Sequence, residues 1–207
     1  MEALAGCRRC ERLAGFLDAV RAEHPNYFCA PVPPFGDAAG QLLVVGLAPG
    51  LHGANATGRP FTGDACSDLL YGSLHAHGFS TAPRSLHRDD GLLLHNCRIT
   101  NAVKCLPPAN KPTGEEVRRC GSYLRAELLS QRPRVVLALG AVSHQAVLRA
   151  LGLRASAHPF AHGAEHDLGQ LCLIDSYHPS RYNVNTGRLT EAMFLAAVGQ
   201  AKQALTR

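Results

Sequence analysis

Four short apolar runs set the rhythm of this chain: Leu42-Leu43-Val44-Val45, Cys97 to Val103, Arg134 to Gly140, and Leu171 to Ser176. The third is continuous rather than alternating, the pattern of a strand buried on both faces of a parallel sheet. Between the runs the apolar period changes to that of helices. Leu13, Phe16, Leu17 and Val20 share one face of a helix predicted over 8–24 and stopped by Pro25. Residues 65–77 predict a second helix with Asp64 as N-cap. Thr113-Gly114-Glu115-Glu116 is a capping-box pattern that opens a third, reaching about Ser130. Helices over 141–151 and from about Thr190 to Ala204 complete the set. Residues 25–40, 79–92 and 106–112 have no period and read as loops. Strands alternating with helices predict an α/β fold whose mainly parallel, four-stranded sheet is covered on both faces.

Composition narrows this picture. A chain of 207 residues is expected to form one domain over 1–207. The formal charge of +5 suits a polyanionic partner. No apolar run approaches the ~20 residues of a membrane span. The N-terminal stretch Met1 to Cys10 lacks the apolar core of a secretory signal, so a cytoplasmic location is expected. The eight cysteines then read as metal ligands or buried thiols rather than disulfides.

Chemistry concentrates in the loop Gly46–Asp64, which follows the first strong strand. Four glycines lie between Gly46 and Asp64, more than a structural loop requires. They permit unusual dihedrals and close approach of a ligand to backbone. Phe61 offers a stacking face and Asp64 an acid. A loop at the carboxyl end of a central strand is where open α/β sheets place their sites. The loop lacks the Gly-Lys-Ser/Thr ending of a phosphate-binding P-loop, so an ATPase is rejected.

The cysteines Cys7-x2-Cys10, Cys105 and Cys120 form a candidate four-ligand set. Zinc and an iron–sulfur cluster both accept four thiolates, and spacing alone leaves both open. Cys29, Cys66, Cys97 and Cys172 read as buried thiols. His158, His162 and His166 read as scattered loop histidines rather than a metal site.

In order along the chain stand Cys7-x2-Cys10, the Gly46–Asp64 loop, Thr100-Asn101-Ala102-Val103-Lys104-Cys105-Leu106-Pro107-Pro108-x-Asn110-Lys111-Pro112, and His178-Pro179-Ser180. In these motifs the chain resembles the iron–sulfur uracil-DNA glycosylases over roughly residues 7–200. It is most similar to family 5 (type b), through Gly46-Leu47-Ala48-Pro49-Gly50 and the segment Ser180-Arg181-Tyr182-Asn183-x-x-Thr186-Gly187-Arg188. Family 4 carries Glu where Leu47 stands, so a mechanism using that carboxylate cannot be transferred.

The resemblance implies a three-layer αβα sandwich and a 4Fe–4S cluster on Cys7, Cys10, Cys105 and Cys120. It implies hydrolysis of the N-glycosidic bond of uracil in double-stranded DNA, with other damaged bases such as hypoxanthine also accepted. Such chemistry needs the nucleotide flipped out of the duplex. Phe61 is then the stacking wall, Asp64 the carboxylate that steadies the sugar cation or activates water, and His178 the donor to the leaving base. Asn110 is assigned to the catalytic loop. Asn101 addresses the base edge, with Gly53 and Ala48 beside it in the pocket. Ser180, Arg181 and Tyr182 form a candidate wedge into the duplex. Arg59, Lys111, Lys104 and Arg188 are candidate phosphate contacts. The expected activity is that of a monomeric, monofunctional glycosylase. The competing readings are a catalytically silent iron–sulfur DNA-binding module, which would lack Phe61, Asp64 or His178, and a zinc-stapled nucleotide-binding protein.

Overall fold

The computed structural model describes residues 4–207; Met1, Glu2 and Ala3 of the N-terminal reading lie outside it, as does the side chain of Ala65. Six strands pair into one sheet: β1 (Phe35–Gly36), β2 (Leu42–Gly46), β3 (Cys97–Asn101), β4 (Val135–Leu139), β5 (Glu165–Asp167) and β6 (Cys172–Ser176). Their spatial order is β1-β3-β2-β4-β6-β5. The four predicted strands form the parallel centre. The expectation of four strands is corrected by β1 and β5, which join antiparallel at the two edges. Two or three residues in a Pro/Gly-rich or polar context carry no readable period, so sequence patterning misses such strands.

The helices are α1 (Glu11–Glu23), α2 (Ala54–Thr57), α3 (Ala65–Ala76), α4 (Gly114–Gln131), α5 (Ala141–Ala150), α6 (Arg181–Asn185) and α7 (Glu191–Ala204). The first begins three residues later than predicted, with Cys10 as its N-cap. The capping box of α4 forms as read: the Thr113 hydroxyl accepts from Glu116 N, and the Glu116 carboxylate accepts from Thr113 N. The short α2 and α6 were not predicted; α2 lies inside the Gly46–Asp64 loop and α6 inside the segment read as a candidate wedge.

Because side chains alternate along a strand, each central strand feeds two cores. Leu42, Val44, Ile99, Leu137 and Ile174 pack against Leu70, Tyr71 and Leu74 of α3 and Phe194 and Val198 of α7. Leu43, Val45, Val136, Ala138 and Leu173 pack against Leu13 of α1, Leu124 and Leu128 of α4, and Val147 of α5. Each fully buried large side chain contributes about 1.5–3 kcal/mol. Two layers of helices therefore sandwich the sheet. The crossover after β2 runs to β3 on one side, and that after β4 runs to β6 on the other. The topological switch point thus falls at the carboxyl ends of β2 and β4, where such sheets form a crevice.

Candidate active site

That crevice is a cavity of about 520 Å³, walled by the loops after β2, β3 and β6. Leu47, Ala48, Gly50, Phe61 and Asp64 come from the first loop, Asn101, Asn110 and Lys111 from the second, and His178, Ser180 and Tyr182 from the third. The fold thus brings together most of the site residues predicted from sequence.

Phe61 sits at φ 51°, in the left-handed region that a bulky residue seldom adopts. Its neighbours hold it there. Arg59 donates from Nε to Thr62 Oγ1 (3.0 Å) and from its terminal nitrogen to Ser85 Oγ (2.5 Å) and Asp90 Oδ2 (2.6 Å). Tyr71 donates to Pro60 O (3.1 Å). These bonds fix the turn from both sides and aim the ring at the cavity. Gly46 makes this possible: a Cβ there would stand 2.6 Å from the Phe61 ring and 2.4 Å from Asn101 Oδ1. Opposite, the His178 ring faces Phe61 with centroids 5.9 Å apart and planes inclined by 30°.

Asp64 caps α3, as read from sequence, and also lines the cavity. Its Oδ1 accepts from Cys66 N (3.0 Å) and Ser67 N (3.1 Å). Burial pushes its pKa up, against the opposing pull of the two amide bonds and the nearby Arg181 charge. Gly53 lies behind this carboxylate rather than in the wall; a Cβ on it would stand 2.2 Å from Asp64 Oδ2.

Asn101 ends β3 opposite Gly46. It is buried, and among the described residues its Oδ1 has no hydrogen-bond partner. A buried amide oxygen left unpaired is costly, and here it borders the space a base would fill. His178 lies in the loop two residues beyond the end of β6. Burial alone lowers its pKa to about 4 from 6.5, so the ring is neutral near pH 7. Its backbone carbonyl accepts from Ser180 N and Asn183 Nδ2, both at 2.8 Å, which fixes the following turn. Asn110 is both a turn residue and a site residue: with Ala109 it forms a pair at φ 55° and 53°, and it lines the cavity.

On the outer rim, the Ser180 hydroxyl caps α6 by accepting from Asn183 N. The short α6 presents Arg181 and Tyr182 to solvent, Tyr182 being 72% exposed. The segment read as a candidate wedge is a turn of helix. Lys111 is exposed beside it, and exposed Arg188 stacks over Tyr177 at 4.5 Å.

Two predicted phosphate contacts are corrected. Arg59 is only 3% exposed and is consumed by the Asp90, Ser85 and Thr62 network and by the Phe35 ring. Lys104 is 1% exposed and pairs with Glu127 at 2.7 Å and with the Thr100 hydroxyl. Neither can reach DNA. Sequence reading missed Asp90 because its partner lies 31 positions away, across a stretch without period. It also treated Cys66 as a core thiol, whereas that residue lines the cavity.

Cys7, Cys10, Cys105 and Cys120 line one separate pocket, walled mainly by apolar groups. Burial, and then the neighbouring thiols Cys120, Cys7 and Cys10, push the Cys105 pKa up to about 12. Four thiols that sense one another in an apolar hollow suit a centre that ionises its ligands on binding. Arg9 and Arg119 also line the pocket and would offset its negative charge. These four thiols bring the start of α1, α4 and the loop that leads to Asn110 to one pocket.

Comparison with known proteins places this arrangement. The family profile described as Uracil DNA glycosylase superfamily matches residues 33–202. The type-5 uracil-DNA glycosylase of Thermus thermophilus is 48% identical over 98% of this chain and 95% of its own length.

The chain belongs to the type-5 branch of the uracil-DNA glycosylase superfamily.

A second type-5 uracil-DNA glycosylase, from Pyrobaculum aerophilum, is 48% identical over 90% of this chain and 84% of its own. A type-4 uracil-DNA glycosylase from Archaeoglobus fulgidus is 30% identical over 86% of this chain and 78% of its own. For a uracil-DNA glycosylase the αβα layers and the switch-point cavity are the expected frame. Among the described residues no helix is long and apolar enough to cross a membrane.

Proposed function

We infer that this chain hydrolyses the N-glycosidic bond of uracil in DNA and leaves an abasic site. The observation that carries the reading is one cavity holding a stacking ring (Phe61), an unpaired amide oxygen (Asn101), a buried carboxylate (Asp64) and a neutral imidazole (His178). A silent binding module would have no reason to keep them together. The type-5 relatives support the same substrate.

In this reading the damaged nucleotide is flipped from double-stranded DNA into the cavity, and Tyr182 and Arg181 fill the gap it leaves. The base lies against Phe61 and bonds Asn101, whose oxygen accepts an N–H. As the bond to the sugar breaks, negative charge gathers on the base and positive charge on the sugar. Neutral His178 donates a hydrogen bond to the base oxygen. The Asp64 carboxylate faces the sugar side, where it steadies the cation or orients the attacking water. Leu47 supplies no second carboxylate. The cavity volume leaves room for a purine such as hypoxanthine. One chain supplies every site residue, consistent with a working monomer.

We also propose that the four-cysteine pocket holds a 4Fe–4S cluster. When bound it cross-links α1, α4 and the Asn110 loop; the chemistry at the base requires nothing further from it.

The test is base release from a labelled duplex with one uracil opposite guanine, followed by alkali. Breaks that require alkali are expected. No abasic sites from folded protein, on uracil or hypoxanthine, would refute the reading; breaks without alkali would refute a monofunctional enzyme.

A further inference from the structure

A second constellation lies outside the proposed active site. Asp175 of β6 is fully buried, and among the described residues no Lys or Arg pairs with it. Its carboxylate meets two imidazoles instead: His144 Nδ1 of α5 at 2.7 Å from Oδ1, and His166 Nε2 of β5 at 3.0 Å from Oδ2. The other nitrogen of His144 faces the carbonyl oxygen of His158 at 2.8 Å. A carbonyl only accepts, so His144 Nε2 carries the hydrogen. In the neutral ring Nδ1 is then a bare lone pair, aimed at a carboxylate oxygen. Two acceptors at that distance require a positive centre between them.

We propose that His144, His166 and Asp175 form a binding site for one divalent cation of the zinc class. The three ligand atoms lie within 4.8 Å of one another. Metal–ligand bonds of about 2.0–2.1 Å at tetrahedral angles need ligand atoms roughly 3.3 Å apart, so the 2.7 Å and 3.0 Å imidazole–carboxylate separations would open by about 0.6 and 0.3 Å as the rings close on the ion. Two imidazoles and a carboxylate are a borderline donor set that suits zinc. The His144–carbonyl bond is the outer-shell contact that fixes the tautomer of a metal-binding histidine. The His166 side chain is 11% exposed, which leaves a path and a fourth position for water. The edge strand β5 then has a purpose: it brings His166 to Asp175. The ion would pin α5 and β5 to β6 three residues before His178. None of these ligands belongs to the four-cysteine pocket.

The experiment measures zinc and iron per chain in purified protein equilibrated with Zn2+, then repeats it with His166→Ala and His166→Gln. His166 lies on the edge strand, so these variants disturb the fold least. We expect about one zinc per chain in addition to unchanged iron, a rise in Tm on adding Zn2+, and loss of both zinc effects in the variants. The difference spectrum on adding Co2+ in place of Zn2+ should show weak visible bands without new thiolate charge transfer. Absence of zinc uptake by wild type, equal uptake by the variants, or a new thiolate band in the Co2+ difference spectrum would each overturn the site. Without uptake, the centre between His144 and Asp175 is a proton.

Discussion

Gly53→Ala tests how the active site is assembled without touching any group that contacts the base. The added Cβ would stand 2.2 Å from Asp64 Oδ2 and 2.8 Å from its Cγ, whereas 3.4 Å, the separation at Gly50, is ordinary contact. The carboxylate must therefore retreat by about 1.2 Å, or the loop must back away by the same amount. Oδ1 is tied to Cys66 N and Ser67 N, so retreat weakens the cap at a cost of about 1 kcal/mol. That corresponds to a fall in Tm of about 2–4 °C for a protein of this size. A misplacement of about 1 Å near the reacting atoms costs on the order of 100-fold in rate. Single-turnover base release at saturating DNA, compared with a melting curve, measures both effects. The double variant Gly53→Ala/Asp64→Asn separates causes: if the damage acts through Asp64, the double variant is no slower than Asp64→Asn alone. An unchanged Gly53→Ala rate, or multiplicative losses in the double variant, would refute the argument.

The remaining expectations concern the surrounding groups. Removing Arg59 as Arg59→Met leaves the partly buried Asp90, whose pKa is raised by burial but held well below the carboxylate range by Arg59 and the Leu92 and Leu86 amides, with the backbone amides alone. A loss of about 1–3 kcal/mol in denaturant unfolding is expected, and a loss under about 0.5 kcal/mol would contradict the pairing. Lys111→Ala and Arg181→Ala should each reduce the slope of log affinity against log salt by about 0.9; unchanged slopes would remove them from the phosphate contacts. His178 has a folded pKa near 4 against 6.5 ordinarily. It therefore contributes stability above pH 6.5 that is lost as pH falls toward 4. His178→Asn should flatten acid-side unfolding in that window, and an identical pH profile would show the ring is not buried in neutral form. The raised pKa of Asp64 works in the opposite sense, its contribution to stability being lost as pH rises. Cys120→Ser should give protein without visible cluster absorbance; full colour would take Cys120 out of the ligand set.

Much of this molecule was legible before its structure. The four central strands, the α4 capping box and the Asp64 cap follow from local rules, because continuous apolar runs and cap residues act over a few positions. The loop motifs likewise marked Phe61, Asp64, Asn101 and His178. Their convergence could not be read locally: it depends on the strand order β3-β2-β4-β6, which brings three loops far apart in sequence to one crevice. The edge strands β1 and β5 escaped because two or three residues carry no period, yet β5 carries His166 to Asp175.

Charge was the least readable property. In sequence Arg59 and Lys104 are two cations beside functional motifs, indistinguishable from Lys111 and Arg181. Only the packed fold sets Asp90 and Glu127 against them and turns both inward. In the same way His166 was one of several loop histidines until β5 brought it to a carboxylate that is fully buried and bonded by His144. The sequence alone determined which segments form the four central strands, which residues cap α3 and α4 and which loops carry reactive groups, since those depend on neighbours in the chain. Tertiary structure decided which charges face solvent and which groups share a cavity, because burial and pairing are set by contacts between residues distant along it.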